Sequence, residues 1–337
     1  MTNLLSQNYV EITTEEIMDW LASMEIDFHR INGDFLLKDK KRELIISNNK
    51  NKENENYTMN DANVVWFRRW HQFEYEEQLI IGNPVIDHDT KSRLMNFLKG
   101  EYMTFCNYLF SKVNRDKWID HPGTQSLNKL FVLEKASELG IKIPETLVTN
   151  DKQSLIEFIK IHNQVITKPL NEVDAFEIEN HNFFFDTKLV TLKDAESYSN
   201  DFFYMSLFQE AVPKKYEIRI FWLDEEFFPM VIFSQRRKES QYDFRVYDFE
   251  TPDRMIPYKL DSEVEEKLNS LAKGFGYRHC SIDCIINDSY ETVFLEINPI
   301  GQFGMVSKPC NYYLEKKMAQ YLVDYEKSYI NQQSKNK

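Results

Sequence analysis

The chain has 337 residues, with 54 acidic against 41 basic side chains and a formal net charge of −13. That balance excludes the broad positive surface a general nucleic-acid or anionic-membrane binder needs, while leaving room for a local basic pocket. Hydrophobic residues make up 42% of the chain, which excludes wholesale disorder, and the length fits two or three packed units.

The opening residues lack a basic region followed by an apolar stretch, so no secretory signal is expected there. Thr13 or Thr14, then Glu15 and Glu16, then Ile17, Trp20, Leu21 and Met24 read as a capped amphipathic helix. Residues 48–60 are too polar to bury and read as a loop, and Val64-Val65-Trp66-Phe67 reads as a strand. A helix is expected over 89–113, with Leu94, Phe97, Leu98, Tyr102 and Phe105 at helical spacing. In Asp87-His88-Asp89, His88 reads as part of the helix entry, not as a metal ligand.

Beyond His121-Pro122-Gly123, Ser126-Leu127-Asn128-Lys129 opens a helix that Gly140 closes. Strands are expected at 143–148 and 165–168, a helix at 153–162, and a hairpin pairing 175–178 with 183–190. Antiparallel strands follow at 205–211, 216–222, 228–234, 279–286 and 292–298, with a helix over 262–273 and a frayed tail from 331. The mixture gives an α/β or α+β class, divided into units at 1–120, 121–207 and 208–327 with a tail at 328–337. Cys106, Cys280, Cys284 and Cys310 lack paired C-x-x-C spacing and read as buried thiols of a reducing, cytoplasmic compartment.

The strongest chemical signal is Phe294-Leu295-Glu296-Ile297-Asn298-Pro299. Strict alternation puts Phe294, Glu296 and Asn298 on one strand face and Leu295 and Ile297 on the other. The preceding strand carries Asp283 opposite the face of Cys280, Ile282 and Cys284, and a turn at Asn287-Asp288-Ser289 sets Asp283 across from Glu296. Two carboxylates and an amide oxygen are the hard donors Mg²⁺ takes, although a solvated polar face would share the spacing. Lys168 ends an apolar strand and Lys129 begins a helix; each can meet a phosphate, and each alone also fits an ordinary surface lysine. Gln209, Glu210, Ala211 and Val212 end a strand before Pro213, where backbone groups leave the ladder and can present an adenine-sized edge. Only nine glycines occur, and neither G-x-x-x-x-G-K-[ST] nor G-x-G-x-x-G is present, so P-loop and Rossmann nucleotide sites have no support.

In this order these residues resemble the ATP-grasp superfamily from about residue 113 to 304. Lys129, Lys168, the 209–212 segment, Glu217 and the Asp283, Glu296 and Asn298 trio stand where that family contacts adenine, ribose, phosphate and Mg²⁺. Val65-Trp66-Phe67-Arg68-Arg69, Asn128-Lys129, residues 143–150, Asp243-Phe244-Arg245 and Phe294-Leu295-Glu296-Ile297-Asn298-Pro299-x-Gly301-Gln302 resemble the microviridin-type peptide ligases. These graspetide maturases include the grasp-with-spasm ligases, and the likeness covers nearly the whole chain. The glycines common in that family's central flap are missing around residues 173–182. Arg236-Arg237 followed by Asp243-Phe244-Arg245 also resembles the ribosomal-protein glutamate ligases.

The resemblance implies an ATP-grasp fold with an N-terminal pre-grasp domain, a central domain and a C-terminal antiparallel-sheet domain carrying the Mg²⁺ site. It implies an enzyme that uses ATP and two Mg²⁺ ions to phosphorylate Asp or Glu side chains of a ribosomally made precursor peptide, with a leader and an acidic core. Ser or Thr hydroxyls, or Lys amines, then displace phosphate to close ester or amide rings. Asp283, Glu296 and Asn298 become metal ligands; Lys129, Lys168, Gln209, Glu210, Ala211, Val212 and Glu217 contact nucleotide; Arg219, Arg245 and Asp243 serve catalysis. A glutamate ligase acting on a protein tail, or a scaffold binding ATP and peptide without turnover, are the alternatives. No nucleic-acid or membrane partner is implied, and a homodimer is allowed.

Overall fold

The computed structural model describes residues 1–7, 11–33, 61–70, 87–125, 127–171, 176–178, 181–183, 187–233 and 253–335. Arg236, Arg237, Asp243, Arg245, half of the 173–182 segment and the polar run at 48–60 lie outside the described residues. The chain packs as two units, residues 1–125 with 313–337, and residues 126–312.

The first unit is built on a parallel sheet of β1 (Thr2–Ser6), β2 (Phe28–Asn32), β3 (Val64–Phe67) and β4 (Trp118–Ile119), in the order β2-β1-β3-β4. Leu4, Leu5, Val64, Val65 and Trp66 are fully buried, as expected of parallel strands covered on both faces. Helix α1 (Ile12–Ser23) crosses from β1 to β2 and buries Thr14, Ile17 and Leu21. Its cap is Glu11, not the threonines expected from sequence: the Glu11 carboxylate accepts from Thr14 N at 2.7 Å. An acid there also suits the helix dipole. Helix α2 (His88–Ser111) is capped by Asp87, which accepts from Thr90 N at 2.9 Å, so the Asp87-His88-Asp89 stretch is helix-entry chemistry. Tyr102, Cys106, Leu109 and Phe110 of α2 pack on Leu5, Val65, Phe67 and Trp118.

Among the described residues, the second unit contains two larger antiparallel sheets and a two-stranded one. Helix α3 (Lys129–Glu138) opens on Asn128, whose side chain accepts from Leu130 N, and closes before Gly140 at φ +68°. Then come β5 (Thr146–Asp151), α4 (Lys152–His162) and β6 (Val165–Lys168). β7 (Phe176–Ile178) and β8 (His181–Phe183) pair with each other, and β9 (Lys188–Val190) precedes α5 (Leu192–Ser197) and β10 (Phe202–Glu210). The first sheet runs β5-β10-β6-β9; α4 and α5 cover one face through Leu155, Ile156, Ile159 and Ala195 packed against Val165 and Phe208.

The larger sheet, β13-β12-β11-β14-β15, comprises β11 (Lys214–Leu223), β12 (Glu226–Phe233), β13 (Arg254–Pro257), β14 (His279–Asn287) and β15 (Thr292–Asn298). Helix α6 (Ser262–Gly274) joins α3 on one face, where Leu268, Leu271 and Ala272 meet Ile218, Ile220, Trp222, Cys280, Ile282 and Cys284. Each such leucine contributes about 1.5–3 kcal/mol of burial. Helix α7 (Gly304–Cys310) packs near β11, β12 and β13. The final helix, α8 (Leu314–Lys335), belongs to the first unit, where Leu314, Met318, Leu322 and Val323 are buried beside α1 and β3. The tail read from sequence as frayed from 331 is therefore helical to Lys335.

Candidate functional site

Alternation along β11 sends Ile218, Ile220 and Trp222 to the helix-covered core, which leaves Glu217 and Arg219 on the opposite face. On β14 the same logic buries Cys280, Ile282 and Cys284 in that core and turns Asp283 away from it. Register completes the row: Arg219 stands opposite Asp283, and Asp283 opposite Glu296. Three charged residues on three adjacent strands thus share one face. Arg219 Nη1 donates to both Asp283 oxygens, at 3.1 and 3.2 Å. Asn298 Nδ2 donates to Asp283 Oδ2 at 3.3 Å and to Glu296 Oε1 at 3.2 Å, drawing both carboxylates together.

One expectation is corrected here. Phe294 does not share a face with Glu296 and Asn298; it is fully buried in the core with Cys284 and Ile297. The ladder pairs Cys284 with Phe294 and Asp283 with Glu296, so Leu295 is an extra residue. A bulge of this kind breaks the two-residue period and re-aims the side chains beyond it. Leu295 and Glu296 consequently both line the cleft.

The smaller sheet supplies the facing wall. Phe208 and Val165 pack under α4 and α5, so Gln209 on β10 and Ile166 and Lys168 on β6 face the other way. The cleft between the sheets is lined by Lys168, Gln209, Glu210, Ala211, Val212, Glu217, Arg219, Asp283 and Glu296, with Pro144, Thr187 and Lys214 among their neighbours. The connection from β10 to β11 has its amides committed: Glu210 N to Glu145 O, Ala211 N to Gln164 O, and Val212 N back to Glu210 O. Lys129, the first residue of α3, extends its ammonium to Pro169 O at 3.4 Å, just past the end of β6.

Sequence reasoning missed Lys214, which forms a short ion pair with Glu217 in the cleft wall. Strict alternation separates residues three apart, but the β11–β14 register shifts between Lys214 and Tyr216 and restores them to one face. It also missed what Gly301 does. With φ at +30°, Gly301 lies so close to β14 that an added Cβ would sit 2.8 Å from Ser281 N. Only glycine allows the loop after Asn298 to approach the strand there. Cys284 lies next to Asp283 in sequence, yet burial, and then the Asp283 charge, hold its thiol far above the ordinary range. It is not a nucleophile.

The donor set suits a hard divalent cation and a phosphorylated nucleotide. Asp283 and Glu296, tied together by Asn298, offer carboxylate oxygens, Lys168 shares the cleft with these two carboxylates, and buried Gln209 Oε1 has no partner among the described residues.

No protein-family model matches the sequence, and no curated protein matches it. Solved structures do. The macrocyclase MdnC of Microcystis aeruginosa MRC, bound with precursor peptide MdnA, superposes with a TM-score of 0.77 at 22% identity, covering 96% of this chain and 99% of that one. A Chryseobacterium gregarium RiPP-associated ATP-grasp ligase, in complex with ADP and a leader and core peptide, gives 0.77 and 22%, with 96% of each chain covered. The ATP-grasp ligase PsnB, complexed with minimal precursor, Mg and ADP, gives 0.71 and 15%, covering 96% of this chain and 97% of that one. The chain has the ATP-grasp fold, as the sequence led us to expect.

Proposed function

We propose that this protein is an ATP-dependent peptide ligase that crosslinks acidic side chains of a ribosomal precursor peptide to its own hydroxyl or amine side chains. The observation that carries the reading is the row of Asp283 and Glu296, tied by Asn298, in one cleft with Lys168 and Gln209. Three structurally similar proteins support it, being described as a macrocyclase bound with a precursor peptide or as ATP-grasp ligases with ADP and peptide.

Mg²⁺-bound ATP supplies the phosphoryl group that turns an Asp or Glu carboxylate into an acyl phosphate, and the peptide's hydroxyl or amine then displaces phosphate. Asp283, Glu296 and Asn298 would hold two Mg²⁺ ions, with water completing their coordination shells. Lys168 and Lys129 neutralise phosphate charge, and Glu217, fixed by Lys214, accepts from a ribose hydroxyl. Residues 210–212 flank the base. Arg219 gives a buried guanidinium on the phosphate side of the cleft. Arg245 and Asp243 lie outside the described residues; the family resemblance makes Arg245 a fork for the substrate carboxylate, and Asp243 the group that orients that fork or assists deprotonation of the attacking hydroxyl. All four cysteines are buried thiols, which suits a reducing cytoplasm.

Calorimetry with ADP tests the cleft. Wild-type chain should bind ADP with Mg²⁺ dependence, and Glu296→Gln should lose that dependence while melting near wild type. Metal-independent binding by both, or no binding by the wild type, contradicts the assignment.

A further inference from the structure

Gln209 and Thr146 face each other directly across β10 and β5. Thr146 Oγ1 sits 3.0 Å from Pro144 O, to which it donates its one proton. Its oxygen is then left as an acceptor, and Gln209 Nε2 donates to it at 2.8 Å. The hydroxyl therefore dictates which end of the amide points where, since a carbonyl turned toward Thr146 would meet no proton. Gln209 is 1% exposed, lines the cleft, and its Oε1 has no partner among the described residues.

We infer that Thr146 is a positioning residue for base selection: by locking the Gln209 amide with its carbonyl toward the cleft, it makes the site choose an amino-bearing base over a keto-bearing one. The inference rests on the nucleotide cleft proposed above and deepens it. Adenine offers an exocyclic amine, a donor; guanine offers a carbonyl oxygen at the corresponding place, an acceptor. A buried acceptor left facing another acceptor loses its hydration without compensation, so the locked amide rejects guanine as well as welcoming adenine. If the lock is removed, the amide can rotate and present Nε2 to a keto oxygen.

The test is calorimetry of the full chain with ADP and GDP, each with Mg²⁺, so that no turnover is involved. Wild type and Thr146→Ser, which keeps the hydroxyl, should favour ADP strongly and to a similar degree. Thr146→Val, close in shape but without hydroxyl, should narrow the ADP/GDP affinity ratio by about tenfold or more. Gln209→Leu, a second variant that leaves Thr146 in place, should narrow it likewise. A wild-type ratio retained in folded Thr146→Val or in Gln209→Leu overturns the inference and leaves the cleft assignment standing. If the wild type binds neither nucleotide, the cleft assignment and the inference fall together.

Discussion

Arg219 and Asp283 are direct cross-strand partners on β11 and β14, and one guanidinium nitrogen of Arg219 bridges both oxygens of the Asp283 carboxylate. Both side chains are about nine-tenths buried, so each charge depends on the other for what water no longer provides. A residue assigned to the metal is thus held in place by a residue assigned to the phosphate side. Arg219→Met should lower stability by about 3 kcal/mol, the scale for removing one partner of a buried pair. Mg²⁺ should restore part of that loss, since a cation at Asp283 replaces the missing charge. Thermal melts of wild type and variant, with and without Mg²⁺, check both parts; equal melting in all conditions would mean the pair carries no energy.

Gly301→Ala should be destabilising by about 1–3 kcal/mol, because the new methyl meets the Ser281 backbone at a position that also disfavours side chains. The loop lies three residues past Asn298, so Mg²⁺-dependent nucleotide binding should weaken alongside the melting temperature. A variant that melts and binds like wild type would show that β14 yields freely at Ser281.

In the first unit, Glu11 caps α1 and also faces Arg68 Nη2 at 3.5 Å. Burial pulls the Arg68 guanidinium down to about 10, and Glu11 is the main opposing influence. Glu11→Gln keeps an acceptor for the helix cap but removes the counter-charge. The expected loss is about 3 kcal/mol, well beyond a cap effect alone. Chemical denaturation measures it, and a loss within a few tenths of a kcal/mol of wild type would assign the charge balance to other groups.

Asp151 caps α4, and its carboxyl is held below the ordinary range by the Ser154 hydroxyl and then by the Ser154 amide. A depressed carboxyl contributes stability that is present above its unfolded pKa and is lost as pH falls through the folded one. Asp151→Asn, which can still cap but cannot titrate, should therefore flatten the acid limb of the melting-temperature profile below about pH 4. An unchanged acid limb would remove Asp151 from the account of acid stability.

The elements with clean local signals were legible in the sequence. Strand β6 at 165–168 and strand β15 at 292–298 fall on their expected residues, and Asn128 and Gly140 frame α3 as their chemistry requires. The Asp283–Glu296 pairing was legible too, because a short turn joins their strands. What alternation cannot carry is a bulge. The extra residue at Leu295 moved Phe294 into the core, and the shift between Lys214 and Tyr216 brought Lys214 to Glu217. Helix α8 escaped notice because its stripe of Leu314, Met318 and Leu322 is narrow within a polar sequence. Thr146 and Gly301 act through contacts distant in sequence, Gln209 for one and Ser281 for the other, and no local pattern announces either.

The most direct measurement of the central claim is the mass of a precursor peptide incubated with this protein, ATP and Mg²⁺. The peptide to use is one rich in Thr, Ser and Lys with Asp or Glu, encoded by a small open reading frame beside the gene. The account predicts a mass lower by one water for each crosslink formed, absent without ATP and absent with Glu296→Gln. A ladder of added glutamyl units would make the protein a glutamate ligase instead, and an unchanged peptide mass despite bound nucleotide would contradict ligation altogether.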